Sequence, residues 1–225
     1  MGMNGGGERI ETAASGFFRG VKFHVRGKTG IVAQTVFNSR DIRYVDSDMR
    51  DGSTIVFFRD GGAAHVAEMV HEAANQWGQR ENVVKYRRMD DRDLVLELVL
   101  RVDDVTGIEI STRDGFTVLV KSRHGVFPVV GKHEKIVEKA AYCRPFALFH
   151  KKADVPVDIL SAVPVDLVSG VEASFHDGTT LVKTRKGILP VLGSVEEALA
   201  EIESAEGVFE ARRPIPPRDP PANSK

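Results

Sequence analysis

Two polar turns in this chain carry basic side chains at matching positions. Lysine and arginine contact phosphate groups and release counterions from nucleic acid, so their types and spacing indicate anion binding. The candidate residues are Lys121, Arg123 and His124 in one turn and Lys183, Arg185 and Lys186 in the other. A corresponding turn nearer the start, from Phe58 to Gly62, is less basic. Two interpretations stay open: a contact with nucleic acid, or charge that keeps exposed turns from aggregating.

Other arrangements that could do chemistry are incomplete. The segment from Gly27 to Gly30 ends like a phosphate-binding loop, but Lys22 stands where that motif needs its first glycine. The run from Asp46 to Gly52 resembles a calcium loop whose glycine comes one position late. His71 precedes a glutamate, yet the second histidine of a zinc-protease helix is missing four residues on. We therefore expect no cofactor, no metal site and no catalytic site, and we predict that this protein is not an enzyme.

Composition narrows the class of protein. The 225-residue chain contains 31 basic and 32 acidic residues, so net charge does not drive it onto nucleic acid or an anionic membrane. Cys143 is its only cysteine, which excludes an internal disulfide and a cysteine-rich zinc site. No apolar stretch has the length of a membrane span, so we expect no membrane insertion. These features predict a globular protein that is cytoplasmic or lies within a cytoplasmically assembled particle.

The elements that position the basic turns belong to a unit that recurs along the chain. The dipeptides Asp51-Gly52, Asp114-Gly115 and Asp177-Gly178 stand at a constant interval, since 115 − 52 = 178 − 115 = 63. The same interval links columns of apolar residues, among them Phe23, Tyr86 and Phe149, then Ile31, Leu94 and Val157, then Val45, Ile108 and Val171. A fixed period of this length predicts three tandem copies of one supersecondary unit.

Each copy has the pattern of five strands followed by a helix. A strand, polar turn and strand come first, and Asp-Gly then joins two β-branched runs, which is a strong hairpin signal. A glycine opens a short fifth strand, and an amphipathic helix ends the unit. Ser194 and Glu197 form a predicted capping box at the start of the third helix. The predicted fold is mainly β (α+β), with three tandem repeats of about 63 residues, each a small bent sheet or barrel closed by its C-terminal helix.

The middle copy has features that predict a central position. Its strand from Leu94 to Leu100 is apolar on both faces, as expected of a strand covered on both sides. His133 falls in a core-facing column with Val70 and Val195, so we predict a hydrogen-bonded core residue and not a metal ligand. The three units are therefore expected to pack into one particle.

The predicted boundaries follow from the repeat and from composition. Glycine, serine and alanine dominate the start of the chain, and proline and charge dominate its end, so neither end can bury enough apolar surface to fold alone. The predicted parts are a flexible arm at 1–20, repeat 1 at 21–83, central repeat 2 at 84–146, repeat 3 at 147–210 and a Pro-rich flexible tail at 211–225.

The pattern within each unit resembles the small flagellar FlbD-type proteins. In the first unit the resemblance consists of a hairpin, Ile42 to Val45, a turn, Thr54 to Phe57, a glycine, Val66 and an amphipathic helix. Those relatives are single-unit proteins associated with flagellar regulation or motor output, without an established catalytic site. The resemblance covers one repeat at a time. It supports the fold and supplies no functional residues.

Two functions are weighed for this sequence. The leading hypothesis is a non-enzymatic structural or adaptor protein that presents three related binding surfaces to other proteins, in a homo- or hetero-oligomeric assembly such as a phage or cell-envelope particle. Triplication of one fold motivates it, because each copy repeats the same edges and loops. The alternative is a nucleic-acid-binding regulator that uses the basic hairpin turns of repeats 2 and 3.

Overall fold

The computed structural model describes residues 18–27, 29–89, 95–152 and 159–212. Leu94, Val157, most of the predicted arm at 1–20 and nearly all of the tail at 211–225 lie outside the described residues. Within that part the molecule is mainly β, and its strands form two antiparallel sheets.

Five strands and then one helix follow each other three times along the chain. The first group is β1 (Gly20–Arg26), β2 (Val32–Asn38), β3 (Ile42–Ser47), β4 (Thr54–Phe58), β5 (Ala63–Val66) and α1 (Val70–Gly78). The second is β6 (Val83–Met89), β7 (Val95–Arg101), β8 (Val105–Ile110), β9 (Val118–Ser122), β10 (Gly125–Val129) and α2 (His133–Ala141). The third is β11 (Phe146–Lys151), β12 (Ile159–Pro164), β13 (Val168–Ala173), β14 (Thr180–Thr184), β15 (Gly187–Val191) and α3 (Val195–Arg212).

The strands divide into two open sheets, not into one sheet per group. The first sheet has the order β2-β1-β5-β4-β3-β7-β6, and the second has the order β10-β9-β8-β12-β11-β15-β14-β13. The predicted closure into barrels is not observed, because neither sheet closes on itself within the described residues. The middle group contributes β6 and β7 to one sheet and β8, β9 and β10 to the other.

The Asp-Gly pairs form turns between paired strands, as predicted. Gly52, Gly115 and Gly178 have φ values of 72°, 73° and 67°, a left-handed conformation that glycine accepts without steric cost. The preceding aspartates bond to backbone amides of the same turn; Ser53 N, for example, donates to Asp51 Oδ1 at 2.8 Å. These turns make β3-β4, β8-β9 and β13-β14 antiparallel hairpins.

The helices cover apolar cores as the periodicity predicts. Val70, Ala73, Ala74 and Trp77 of α1 are buried in a cluster with strands β1, β3 and β4. His133 is buried at the start of α2, where its Nε2 lies 3.1 Å from the Ile108 carbonyl oxygen, so its predicted structural role is confirmed. The capping box of α3 is also confirmed, since Ser194 N donates to Glu197 Oε2 at 2.8 Å and Glu197 N donates to Ser194 Oγ at 3.2 Å.

The two sheets meet at the middle group. Val130 N donates to the Arg87 carbonyl oxygen at 2.7 Å, which links the segment after β10 to β6. The same bond recurs in the outer groups, from Ala67 N to His24 O and from Leu192 N to His150 O, each at 2.7 Å. In all three groups, the segment after the fifth strand therefore lies against the first strand. No helix in the ranges that the structure describes is long and apolar enough to cross a membrane.

Candidate functional site

The basic turns lie in two separate hairpins of the second sheet. The turn with Arg123 and His124 joins β9 to β10, and the turn with Arg185 and Lys186 joins β14 to β15. Strands β8, β12 and β11 stand between the two hairpins in the sheet order. Neighbouring strands lie about 4.8 Å apart, so the two turns do not form one continuous basic patch.

The first basic turn packs around a buried carboxylate. Asp104 is 2% exposed, and its Oδ2 lies 3.4 Å from Nη2 of Arg59 and 3.2 Å from Nε2 of His124. Arg123 Nη1 lies 3.9 Å from Oδ1 of the same carboxylate. Arg43 Nη2 donates to the His124 carbonyl oxygen at 3.0 Å. This turn therefore fastens the first group of strands to the second.

Burial lowers the pKa of His124 below its ordinary value. The charges of Arg43 and Arg59 act in the same direction, and the hydrogen bond and charge of Asp104 oppose them. An imidazole with a lowered pKa is neutral at neutral pH and supplies no cation to a phosphate.

The lysines of both turns face carboxylates. Lys121 Nζ lies 2.7 Å from Oε1 of Glu109, and Lys183 Nζ lies 2.7 Å from Oε2 of Glu172. Arg185 acts electrostatically on Asp166. Burial raises the pKa of Asp166, but the hydrogen bonds and charge of Arg144 outweigh that effect, and the pKa lies below its usual value. Within the described residues, four of the six candidates thus already lie within salt-bridge distance of a carboxylate.

The structure contains a second candidate site that the sequence analysis missed. It consists of two junctions where strands of successive groups pair. At the first, β3 pairs with β7, and Val45 stands opposite Val99. At the second, β8 pairs with β12, and Ile108 stands opposite Ala162. Position 108 follows 45 by the 63-residue interval, and position 162 follows 99 by the same interval. The same junction, in the same register, is therefore built twice.

The junctions exclude water from their paired side chains. Val45, Val99, Ile108 and Ala162 are each 0% exposed. Val99 comes from the second group but lies in the core cluster of the first, and Ala162 comes from the third group but lies in the core cluster of the second. Each junction therefore completes the core of the group before it.

Each junction also contains an acid-base pair. Arg88 binds Asp46 through two bonds, from Nε to Oδ1 at 3.1 Å and from Nη2 to Oδ2 at 2.7 Å. Lys151 Nζ lies 3.5 Å from Oε2 of Glu109 in the second junction. Burial raises the pKa of Asp46 to about 6, although the charge and hydrogen bonds of Arg88 oppose the shift. The signal that could have found these pairs is charge complementarity between positions that share the repeat register.

The outermost strands present the two halves of this junction without a partner. β2 and β13 each end a sheet and pair with one strand among the described residues. Val36 of β2 occupies the register position of Val99 and Ala162, and it is 46% exposed. Val171 of β13 occupies the position of Val45 and Ile108, and it is only partly buried.

In the described part of the chain, no group of three or more histidine, cysteine or acidic side chains could hold a metal ion. No family model matches this sequence, and neither the curated proteins nor the solved structures give a match. The likeness of each unit to FlbD-type proteins stays a prediction.

Proposed function

We propose that this protein is a non-enzymatic structural or adaptor component that joins a larger protein assembly through its open strand edges. One observation carries the proposal. The chain uses the same antiparallel strand junction twice internally, and in the part of the chain that the structure describes, β2 and β13 present its two halves unpaired. An exposed strand edge is a ready template for another strand, because its backbone donors and acceptors lack partners on one side.

The three related surfaces of this proposal are the three strand edges that share one register: β3, β8 and β13. Two of them bind the following group of the same chain. The third is free to bind outside the chain. A phage or cell-envelope particle is the setting we propose, since such particles are built from repeated contacts of this kind.

The alternative is a nucleic-acid-binding regulator, and one observation favours it. The second basic turn carries Arg185 and Lys186, which form no salt bridge with a carboxylate of the described residues. Two cations at a turn supply few phosphate contacts, so the expected affinity is low and falls with added salt.

Two measurements on the same variants test the proposal. The double variant Val36→Lys/Val171→Lys places a charge on each open edge. Val32→Lys is the control, because its register equivalent Val95 stays 58% exposed although β7 pairs with β3 further along the strand. We expect wild type and control to retain the same binding partner from an extract of the source cells, and the double variant to lose it. Fluorescence anisotropy with single-stranded DNA, duplex DNA and RNA is expected to show no binding near physiological salt. Tight, salt-sensitive binding that Arg185→Glu/Lys186→Glu abolishes would instead establish the regulator.

A further inference from the structure

We infer that copies of this chain join head to tail, with β13 of one copy pairing antiparallel with β2 of the next and Val171 opposite Val36. This inference rests on the proposed function and names the partner of the open edges as a second copy of the same protein. The internal junctions define the expected register. Val45 opposite Val99 and Ile108 opposite Ala162 both map onto Val171 opposite Val36 when each strand is shifted by the repeat interval.

The flanking residues of the two edges match the second internal junction. Ser161 stands opposite Glu109 in the second junction, and the inferred register places Thr35 opposite Glu172. A hydroxyl thus faces a carboxylate in both cases, and such polar pairs across strands are favourable.

The space around two equivalent glycines shows that the third edge lacks its neighbour. A Cβ built on Gly107 would lie 3.6 Å from the carbonyl oxygen of Ala162, which belongs to the next group of strands. A Cβ built on Gly170 meets no atom within 4 Å. Among the described residues, the place that β12 fills beside β8 is therefore open beside β13.

The apolar side chains of the two open edges, β2 and β13, are incompletely buried, and each edge could cover the other. Val99 and Ala162 are fully buried because each inserts into the core of the preceding group, whereas Val36 is 46% exposed. The third core cluster, which holds Phe149, Val163 and Val182, has Val171 packed at its side as a partly buried residue. Val36 of a second copy would complete that cluster as Val99 and Ala162 complete the other two, and burying apolar area drives association.

One difference sets the expected strength of this contact. The base of each internal ion pair, Arg88 or Lys151, is replaced by Val25 at the register position of the first group. Glu172 is not left alone, because Lys183 of its own group lies 2.7 Å away. The junction between copies thus keeps the apolar pairing but lacks a charge pair between copies. We expect it to be reversible and concentration dependent.

The contact is heterologous, because two different edges meet. A heterologous contact continues into a filament or closes into a ring, depending on the rotation between copies. An association between two identical edges would instead stop at a dimer.

Sedimentation velocity on the purified 225-residue protein tests the inference without any other partner. We expect wild type and Val32→Lys to form larger species as concentration rises from micromolar to millimolar. Val36→Lys and Val171→Lys are each expected to sediment as monomers, with circular dichroism confirming that they fold. Mixed in equal amounts, the two variants are expected to form a dimer and nothing larger, since Val36→Lys keeps an intact β13 edge and Val171→Lys keeps an intact β2 edge. A misfolded variant cannot produce that complementation.

Crosslinking tests the register. In a Cys143→Ser background, a mixture of Val36→Cys and Val171→Cys is expected to form a disulfide-linked dimer on mild oxidation, because opposite residues of paired strands lie within disulfide reach. Val32→Cys mixed with Val171→Cys is the out-of-register control and is expected to stay monomeric. Self-linked dimers of Val36→Cys alone would overturn the head-to-tail arrangement.

Two further outcomes separate this inference from the proposed function. A wild type that stays monomeric at all concentrations overturns self-association. If the monomer still retains a different protein through its edges, and Val36→Lys/Val171→Lys does not, the proposed function stands with another partner.

Discussion

The internal strand junction and the open ends share one register but differ in what covers them. Val99 and Val36 are equivalent positions of β7 and β2, and only Val99 is buried. Asp46 and Glu172 are equivalent acids of β3 and β13. Asp46 is held in a bidentate pair with the following group, whereas Glu172 pairs with a lysine of its own hairpin. The same local sequence pattern is therefore a core element at one place and a surface at another, depending on whether a strand of another group pairs with it among the described residues.

The largest expected effect is at position 98. Leu98 is 0% exposed and stands opposite Asp46, so Leu98→Asp buries an unpaired charge that faces a second carboxylate. We expect a loss of at least about 4 kcal/mol in the free energy of unfolding, enough to unfold many domains. Thr35→Asp makes the same charge at the equivalent open position and is expected to cost less than about 1 kcal/mol. Urea denaturation followed by circular dichroism measures both, and similar costs would contradict the difference between junction and edge.

The raised pKa of Asp46, the acid of the first junction, predicts that stability falls as pH rises. The folded pKa of Asp46, about 6, lies above the ordinary value near 3.9 of an unfolded aspartate. The folded state therefore binds the proton more tightly between those values, and stability falls as pH rises through this window. The shift of roughly two units corresponds to about 3 kcal/mol, lost between pH 4 and 7.

The control for this prediction is Asp46→Asn, which keeps the shape and an acceptor but does not titrate. The free energy of unfolding is measured for wild type and variant by denaturation at a series of pH values. The difference, wild type minus variant, is expected to fall as pH rises. A wild type that gains stability relative to the variant as pH rises would show that Arg88 keeps Asp46 ionised and that its folded pKa is low.

The third comparison removes the same methyl groups from the two regions. Val99→Ala leaves a cavity in the first core cluster and is expected to cost about 2 kcal/mol. Val36→Ala changes an exposed side chain and is expected to cost less than about 0.5 kcal/mol in the monomer. The measurement is the urea midpoint at low protein concentration, where association between copies does not contribute. Equal midpoints for the two variants would mean that the junction is not part of the core.

The helices, strands and turns could be predicted from the sequence, but the pairing of strands from different groups could not. Asp-Gly turns, helix stripes and the His133 column are local or periodic signals, and the structure confirms them. The pairing of β3 with β7 is not local, because it depends on which edge a later strand meets. Of the predicted alternatives, a bent sheet or a barrel for each group, the barrel is not observed among the described residues, because the first strands of one group extend the sheet of the group before it.

The basic turns show a similar limit. Their charges are visible in the sequence, but the carboxylates that face them are distant along the chain. Asp104 and Glu109 precede the first turn. Glu172 lies in β13, and strand β14 separates it from the second turn. A cluster of basic residues indicates a phosphate site only when its acidic neighbours in space are known.

The smallest expected effect comes from a comparison of two ion pairs whose acids, Glu109 and Glu172, occupy equivalent positions. Lys151 and Glu109 are 23% and 9% exposed in their side chains, whereas Lys183 and Glu172 are 43% and 42% exposed. Solvent screens the second pair, so Lys183→Met is expected to change the free energy of unfolding by less than about 0.5 kcal/mol. Lys151→Met leaves Glu109 with Lys121 alone at the junction and is expected to cost about 1 kcal/mol more. Both variants are compared with wild type by thermal and urea denaturation at low and high salt. If the loss at Lys183 equals or exceeds that at Lys151 in the monomer, the third edge is already covered, and the open-edge description of β13 is wrong.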